Sequence, residues 1–186
     1  MVPAERLGHA AVPSLSLADD ALLSGFQQGL VRHGMIQRGK VSAFARRIIE
    51  RFEVKTPDMH TAARSLSGGN LQKFILGREI LQNPKLLIAA HPTWGVDVGA
   101  AAAIHRALIE LRDAGAAILV ISEDLDELFQ ISDRIGALCG GRLSPLKATA
   151  KTQTSEVGRW MTGQFDTPAN AADAAATPTT TLNDGA

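Results

Sequence analysis

Apolar residues recur at helical spacing through Val41, Phe44, Ile48 and Phe52, with Arg46, Arg47 and Arg51 between them, and this predicts a helix over 41–52. An earlier helix is expected over about 19–32, capped by Ser16 or Asp19. A third amphipathic run starts at Asn70 and is stopped near Gln82 by Asn83-Pro84. The pattern then changes. Residues 85–89 form a short continuous apolar run, the signature of a strand buried on both faces, and 116–121 and 135–139 repeat it. Between them 100–114 reads as a helix closed by Gly115, and 124–131 as a shorter one. Strand, helix, strand, helix, strand predicts an α/β fold, a parallel sheet with flanking helices.

The remaining segments connect or trail. Residues 1–17, with Pro3 and Pro13, read as loop, and 53–64 as a connector around Thr56-Pro57. Gly140-Gly141 turns the third strand into Arg142-Leu143, and a short helix is expected around 155–161. Residues 166–186 are mostly Ala, Thr, Pro, Asn and Asp with almost nothing to bury, so a disordered tail is expected there.

Composition excludes several classes. Lys plus Arg and Asp plus Glu both number 19 in 186 residues, so no net field draws the chain to nucleic acid or lipid. The single cysteine, Cys139, excludes a disulfide framework and suits a reducing cytosol. No apolar run approaches the length of a membrane span, and Met1-Val2-Pro3-Ala4-Glu5 has neither the basic flank nor the apolar core of a secretory signal. Any role at a membrane is therefore expected to run through a partner, without direct insertion.

Candidate chemistry gathers at Leu66-Ser67-Gly68-Gly69-Asn70, where a hydroxyl and two glycines lead into the third amphipathic run. Unpaired backbone N–H groups fan out at such a helix start and favour an anion. A Cβ at either glycine would hold a phosphate away, and Ser67 adds a hydroxyl donor. The pentapeptide alone is equally a turn with a helix cap. Gly34-Met35-Ile36-Gln37-Arg38-Gly39-Lys40-Val41 imitates a phosphate-cradling loop, but no strand precedes it and Val41 cannot ligate a metal.

Taken with Leu86-Leu87-Ile88-Ala89-Ala90-His91-Pro92-Thr93-Trp94-Gly95-Val96-Asp97, then Val120-Ile121-Ser122-Glu123-Asp124 and Ser132-Asp133-Arg134, the order and spacing resemble the ABC transporter ATPases. Within them the chain resembles the C-terminal part of the second, degenerate cassette of simple-sugar and nucleoside importers, over roughly residues 1–145. The resemblance implies a partial P-loop NTPase fold lacking the P-loop half, with a helical subdomain within 1–65, the signature and ATPase core over 66–146, and a short extension over 147–165. It implies that Ser67, Gly68, Gly69 and Asn70 meet, in trans, an ATP held by a partner cassette with an intact P-loop. Asp97 would cross to that P-loop, a role compatible with capping the next helix. Membrane permease subunits and a peripheral place at the cytoplasmic face of the plasma membrane are implied as well.

The same resemblance marks what is missing. Ala90 and His91 stand where the family has an Asp that holds Mg²⁺ and a Glu that works on water, and Glu123 stands where it has a histidine. A methyl group cannot replace an oxygen ligand, and a carboxylate repels a triphosphate where an imidazole would donate a hydrogen bond. His91 is expected to hydrogen-bond, and Glu123 is alternatively a first-turn acid of the next helix. No catalytic residue and no metal are expected on this chain, ATP being shared with the partner and Mg²⁺ held by the partner only. Val2-Pro3-Ala4-Glu5-Arg6 matches the family's phosphate-sensing loop imperfectly, with Ala4 at its polar position. The family is already mid-domain where Met1 falls, so a truncated chain with an uncovered sheet face is expected. The alternative that keeps the fold is a non-catalytic interaction module or remnant with no transport role.

Overall fold

The computed structural model describes residues 1–25 and 28–165. It divides into two compact units, Met1–Ile131 and one that starts at Ser132.

In the first unit, helix α1 (Leu17–Gly25) ends well short of the expected residue 32. A Cβ on Gly25 would lie 3.0 Å from Leu30 Cδ1 and 3.1 Å from Phe44 Cε1, so a bulkier residue would collide with both side chains. Strands β1 (Val31–Arg32) and β2 (Met35–Ile36) then pair antiparallel across His33 and Gly34, whose φ angles of 49° and 75° give the mirror-image turn that suits a two-residue hairpin. The imitation phosphate loop therefore begins in a hairpin turn. Its Gly39 and Lys40 lie on helix α2 (Arg38–Arg51).

Helix α3 (Gly68–Ile80) packs against α1, α2 and helix α4 (Val98–Asp113). The run expected to be amphipathic is instead buried almost all round, including Gln72, Lys73 and Arg78. Their polar ends are matched locally. Lys73 Nζ donates to Glu53 O at 2.7 Å, and the Arg78 guanidinium donates to Asp20 O at 3.1 Å and Ala10 O at 2.8 Å. A buried polar group so satisfied costs little, which is how a mixed sequence occupies a core position.

Strand β3 (Leu86–Ala90) pairs in parallel with β4 (Ala117–Ile121), joined by α4, with Leu86 opposite Ala117 and Ala90 opposite Ile121. Val2 extends β3 on its other side by one rung, donating to Ile88 O and accepting from the Ala90 N–H. One face of the pair, Leu87 and Ala89 with Ile118, joins the core beside Ile104, Leu108 and Leu111. The other face is bare: Leu86 is 58% exposed, Leu119 50% and Ile121 51%. The expectation of strands buried on both faces is thus corrected. Their composition suits a doubly covered sheet, and among the described residues helices cover one side only. Helix α5 (Leu125–Ile131) closes the unit.

The third parallel strand expected at 135–139 does not form among the described residues. In the second unit β5 (Arg134–Ile135) pairs antiparallel with β8 (Lys147–Ala148), and β6 (Leu138–Cys139) with β7 (Arg142–Leu143). Gly140 and Gly141, at φ 56° and 75°, make the β6–β7 turn, so the apolar run is split by local hairpin pairing. Helix α6 (Thr154–Met161) buries Val157 and Trp160 and packs on β6. The tail expected at 166–186 lies outside the described residues. No helix among those described is long and apolar enough to cross a membrane.

Candidate functional site

Ser67 precedes α3 in extended conformation, φ −61° and ψ 153°, and turns its hydroxyl back on the helix start. Its Oγ accepts from the Asn70 N–H at 3.4 Å and from Asn70 Nδ2 at 2.9 Å, while Asn70 Oδ1 accepts from the Lys55 N–H at 2.8 Å. Serine and asparagine thus brace the corner from both sides. Gly68 and Gly69, the first residues of the helix, have no intrahelical acceptor for their N–H groups. Ser67 and Gly68 are exposed.

The turn at 93–97 lies directly against this corner. A Cβ on Gly69 would stand 3.1 Å from Gly95 O, so the glycine is what permits the approach. Asp97 precedes α4, and its Oδ1 accepts from the Ala100 N–H at 2.9 Å. That hydrogen bond, aided by the charge of Lys73, holds the exposed Asp97 carboxyl below its ordinary value. The capping role is therefore present in the geometry.

Gln72 and Arg6 tie the two segments together, and sequence reasoning assigned neither of them to this place. The buried Gln72 amide donates to Pro92 O at 2.9 Å and His91 O at 3.3 Å, and its Oε1 accepts from Arg6 Nε at 3.0 Å. Arg6 Nη2 donates to Trp94 O, and its guanidinium stands 5.8 Å from the centre of the Trp94 ring. Burial lowers the Arg6 pKa. A glutamine one turn into a helix, set among Leu71, Phe74, Ile75 and Leu76, was the available signal for Gln72.

The ends of β3 and β4 form a second place, a cavity of about 590 Å³ lined by Ala4, His91, Trp94, Glu123, Asp124 and Glu127 among others. His91 has φ 48°, donates its backbone N–H to Ile121 O at 2.7 Å, and sets its ring tilted at 58° to that of Trp94, with centroids 6.2 Å apart. Glu123 is exposed and precedes the capping residue of α5. The cap is Asp124, whose Oδ1 accepts from the Glu127 N–H at 3.1 Å, and the first-turn acids are Asp126 and Glu127. The alternative reading of Glu123 as a first-turn acid is corrected accordingly. Glu127, also unforeseen, is buried and accepts from Thr93 Oγ1 at 2.7 Å, with His105 Nε2 3.0 Å away.

Ser67, Gly68, Gly69, Asn70 and Asp97 therefore meet at one corner, while Ala90, His91 and Glu123 lie at the strand ends. The donor set at the strand ends does not suit Mg²⁺ or a triphosphate. Ala90 offers no oxygen, three carboxylates line the cavity, and no group of three or more His, Cys, Asp or Glu among the described residues could hold a metal.

No protein-family model matches the chain. It is 41% identical over 173 residues to the guanosine import ATP-binding protein NupO of Bacillus subtilis (strain 168), which covers 92% of this chain and 34% of that protein. It is 39% identical over 163 residues to the nucleoside import ATP-binding protein NupA of Lactococcus lactis subsp. cremoris, covering 87% and 32%. A ribose import ATP-binding protein of Rubrobacter xylanophilus is 37% identical over 158 residues, covering 84% and 32%. The chain spans about a third of the length of the curated relatives it matches. Among solved structures it is similar to an ATP-binding cassette captured as a dimer with ADP and Pi, at TM-score 0.66 and 19% identity, over 77% of this chain and 61% of that one. The ATP-binding subunit of an ABC transporter matches at TM-score 0.64 and 20% identity, over 89% and 62%. Over the stretch it shares with them the chain is related to the ATP-binding proteins of nucleoside and sugar import, and its fold is part of an ABC cassette.

Proposed function

We propose that the chain is the C-terminal part of a degenerate second cassette in the ATP-binding subunit of a simple-sugar or nucleoside importer, and that it gives its signature corner in trans to ATP on a partner cassette. The observation that carries this reading is the contrast at its two polar places. The corner at Ser67–Asn70 is braced and exposed, with helix-start N–H donors of the kind that bind phosphate. The strand ends hold an alanine and a histidine at positions 90 and 91, and the carboxylates of Glu123, Asp124 and Glu127 that line the cavity repel a triphosphate.

In this reading ATP and Mg²⁺ rest on the partner's P-loop, and the corner donates hydrogen bonds to the terminal phosphate once the two cassettes close. Such charge-assisted bonds gain strength as charge develops on the transferring group. Asp97 would reach toward the same partner from its capping position. The helical segments within 1–65 would rest on permease subunits, holding the assembly peripherally at the cytoplasmic face of the plasma membrane. ATP-binding importer relatives support that setting.

The reading is tested by assembling the chain with a cassette that carries an intact P-loop and measuring phosphate release. Ser67→Arg should lower turnover by about a hundredfold or more, the scale on which oxyanion donors act. Unchanged turnover, or Mg²⁺-dependent hydrolysis by this chain alone, would overturn it.

A further inference from the structure

One guanidinium fills the space that two glycines leave. A Cβ on Gly68 would lie 2.6 Å from Arg6 Nη1, and one on Gly95 would lie 3.1 Å from Arg6 Nη2. Gly68 belongs to the signature corner and Gly95 to the 93–97 turn, so the same planar group touches both segments beside the place where Gly69 meets Gly95 O. Its other bonds follow the same division. Nε donates to Gln72 Oε1 on α3, and Nη2 donates to Trp94 O on the turn. A lysine could not do this, because only the fork of arginine offers donors in several directions at once.

Arg6 itself comes from neither segment. It lies four residues after Val2, which is hydrogen-bonded to β3 at Ile88 and Ala90. A displacement of the chain around residues 1–6 would therefore pull on the corner and the turn together. We propose that Arg6 is the positioning residue of the signature corner, a cationic peg that sets the spacing of Gly68 and Gly95 and couples the segment around residues 1–6 to the phosphate-facing glycines. The functional half of this inference rests on the trans reading above. The geometric half stands by itself.

Trp94 supplies a direct readout of the peg, since the guanidinium lies 5.8 Å from its ring and the chain holds two tryptophans in all. In nitrogen–proton spectra of the full chain, with Trp94 identified by Trp94→Phe, Arg6→Ala should move the Trp94 indole signal while the Trp160 signal stays in place. Gly68→Ala should move it the same way by expelling the guanidinium, and adding Gly68→Ala to Arg6→Ala should move it no further. An unmoved Trp94 signal in Gly68→Ala, or additive shifts in the double variant, would overturn the proposal even if Arg6→Ala fails to fold. In the assembled complex Arg6→Ala should lower kcat about tenfold with the KM for ATP within about twofold, and Arg6→Lys should not rescue it. Full turnover in Arg6→Ala, where Ser67→Arg is silent, would refute the positioning role and leave the trans reading intact. If Ser67→Arg itself turns over normally, the trans reading fails, and the indole signals still decide whether Arg6 holds the corner.

Discussion

The signature corner and the ends of β3 and β4 are both made by loops leaving the same packed unit, yet they present different groups. At the corner stand a serine hydroxyl, glycine N–H groups, the Arg6 guanidinium behind them and the exposed Asp97 carboxyl, which caps α4. At the strand ends Glu123, Asp124 and Glu127 face a cavity with His91 and Ala90 beside it. The backbone has not suffered there: His91 N–H still bonds Ile121 O, and Glu127 is held by Thr93 and His105. On the reading proposed above, the lesson is that a composite ATP site divides by segment. The corner depends on backbone geometry, which α3 enforces through packing. The strand ends depend on the identity of a few side chains, which can change without cost to the scaffold.

The sharpest way to break the comparison is to repair the weaker place and damage the stronger. Ser67→Arg puts a long side chain where the terminal phosphate would sit and is expected to silence the assembled complex. Ala90→Asp combined with His91→Glu returns two carboxylates to the strand end, and phosphate release by the isolated chain is expected to stay at background. No lysine-bearing phosphate loop precedes these residues in the described fold, and added negative charge beside Glu123 and Asp124 repels a triphosphate further. Measurable hydrolysis by that double variant would mean that the strand ends are a working site lacking two groups.

Legibility divides along the same line. Ser67, the two glycines and Asn70 were readable because a cap and a glycine corner are written in consecutive residues, and the cap at Asp97 likewise. The parallel pairing of β3 with β4 followed from two apolar runs and the helix between them. Arg6 was not placed, because its partners Gln72 and Trp94 lie 66 and 88 residues along the chain. The His105–Glu127 contact was hidden for the same reason. The end of α1 was missed because a hairpin with His33 at positive φ carries only half of the usual turn signal, a single glycine. The bare sheet face could be anticipated only from the family resemblance. Strand composition records that two layers are needed but is silent on which residues provide the second.

A smaller effect concerns the support behind the corner. Gly77 faces Phe52 across the α2–α3 contact, where an added Cβ would lie 2.5 Å from Phe52 Cδ2 and 2.9 Å from Cε2 and Cγ. The ring is 4% exposed and has little room to yield. Gly77→Ala should therefore cost about 1–3 kcal/mol by overpacking, outweighing the gain of about 1 kcal/mol from better helix propensity. Urea denaturation would show a lower midpoint at unchanged slope. Because the strand ends do not rest on this contact, the cavity residues should keep their environment while the corner loosens. A variant as stable as the parent would show that α3 does not depend on close packing there.

The smallest expected effect separates the two roles of Asp97. Its carboxyl is held below the ordinary value of 3.8, first by the Ala100 N–H and then, against some desolvation, by Lys73. A carboxyl depressed in the folded chain stabilises it at all pH above 3.8 and loses that contribution as pH falls through the folded value. Asparagine also caps a helix but does not titrate, so Asp97→Asn should melt slightly lower than the parent near neutrality. The gap should close in acid, as Asp97 takes up its proton. The group is exposed, so salt should shrink the gap as well. Melting curves of both chains across that range, at two salt concentrations, measure it. A gap that persists undiminished in acid would mean that the charge on Asp97 does not stabilise α4, and the electrostatic half of the capping argument at the corner would fall with it.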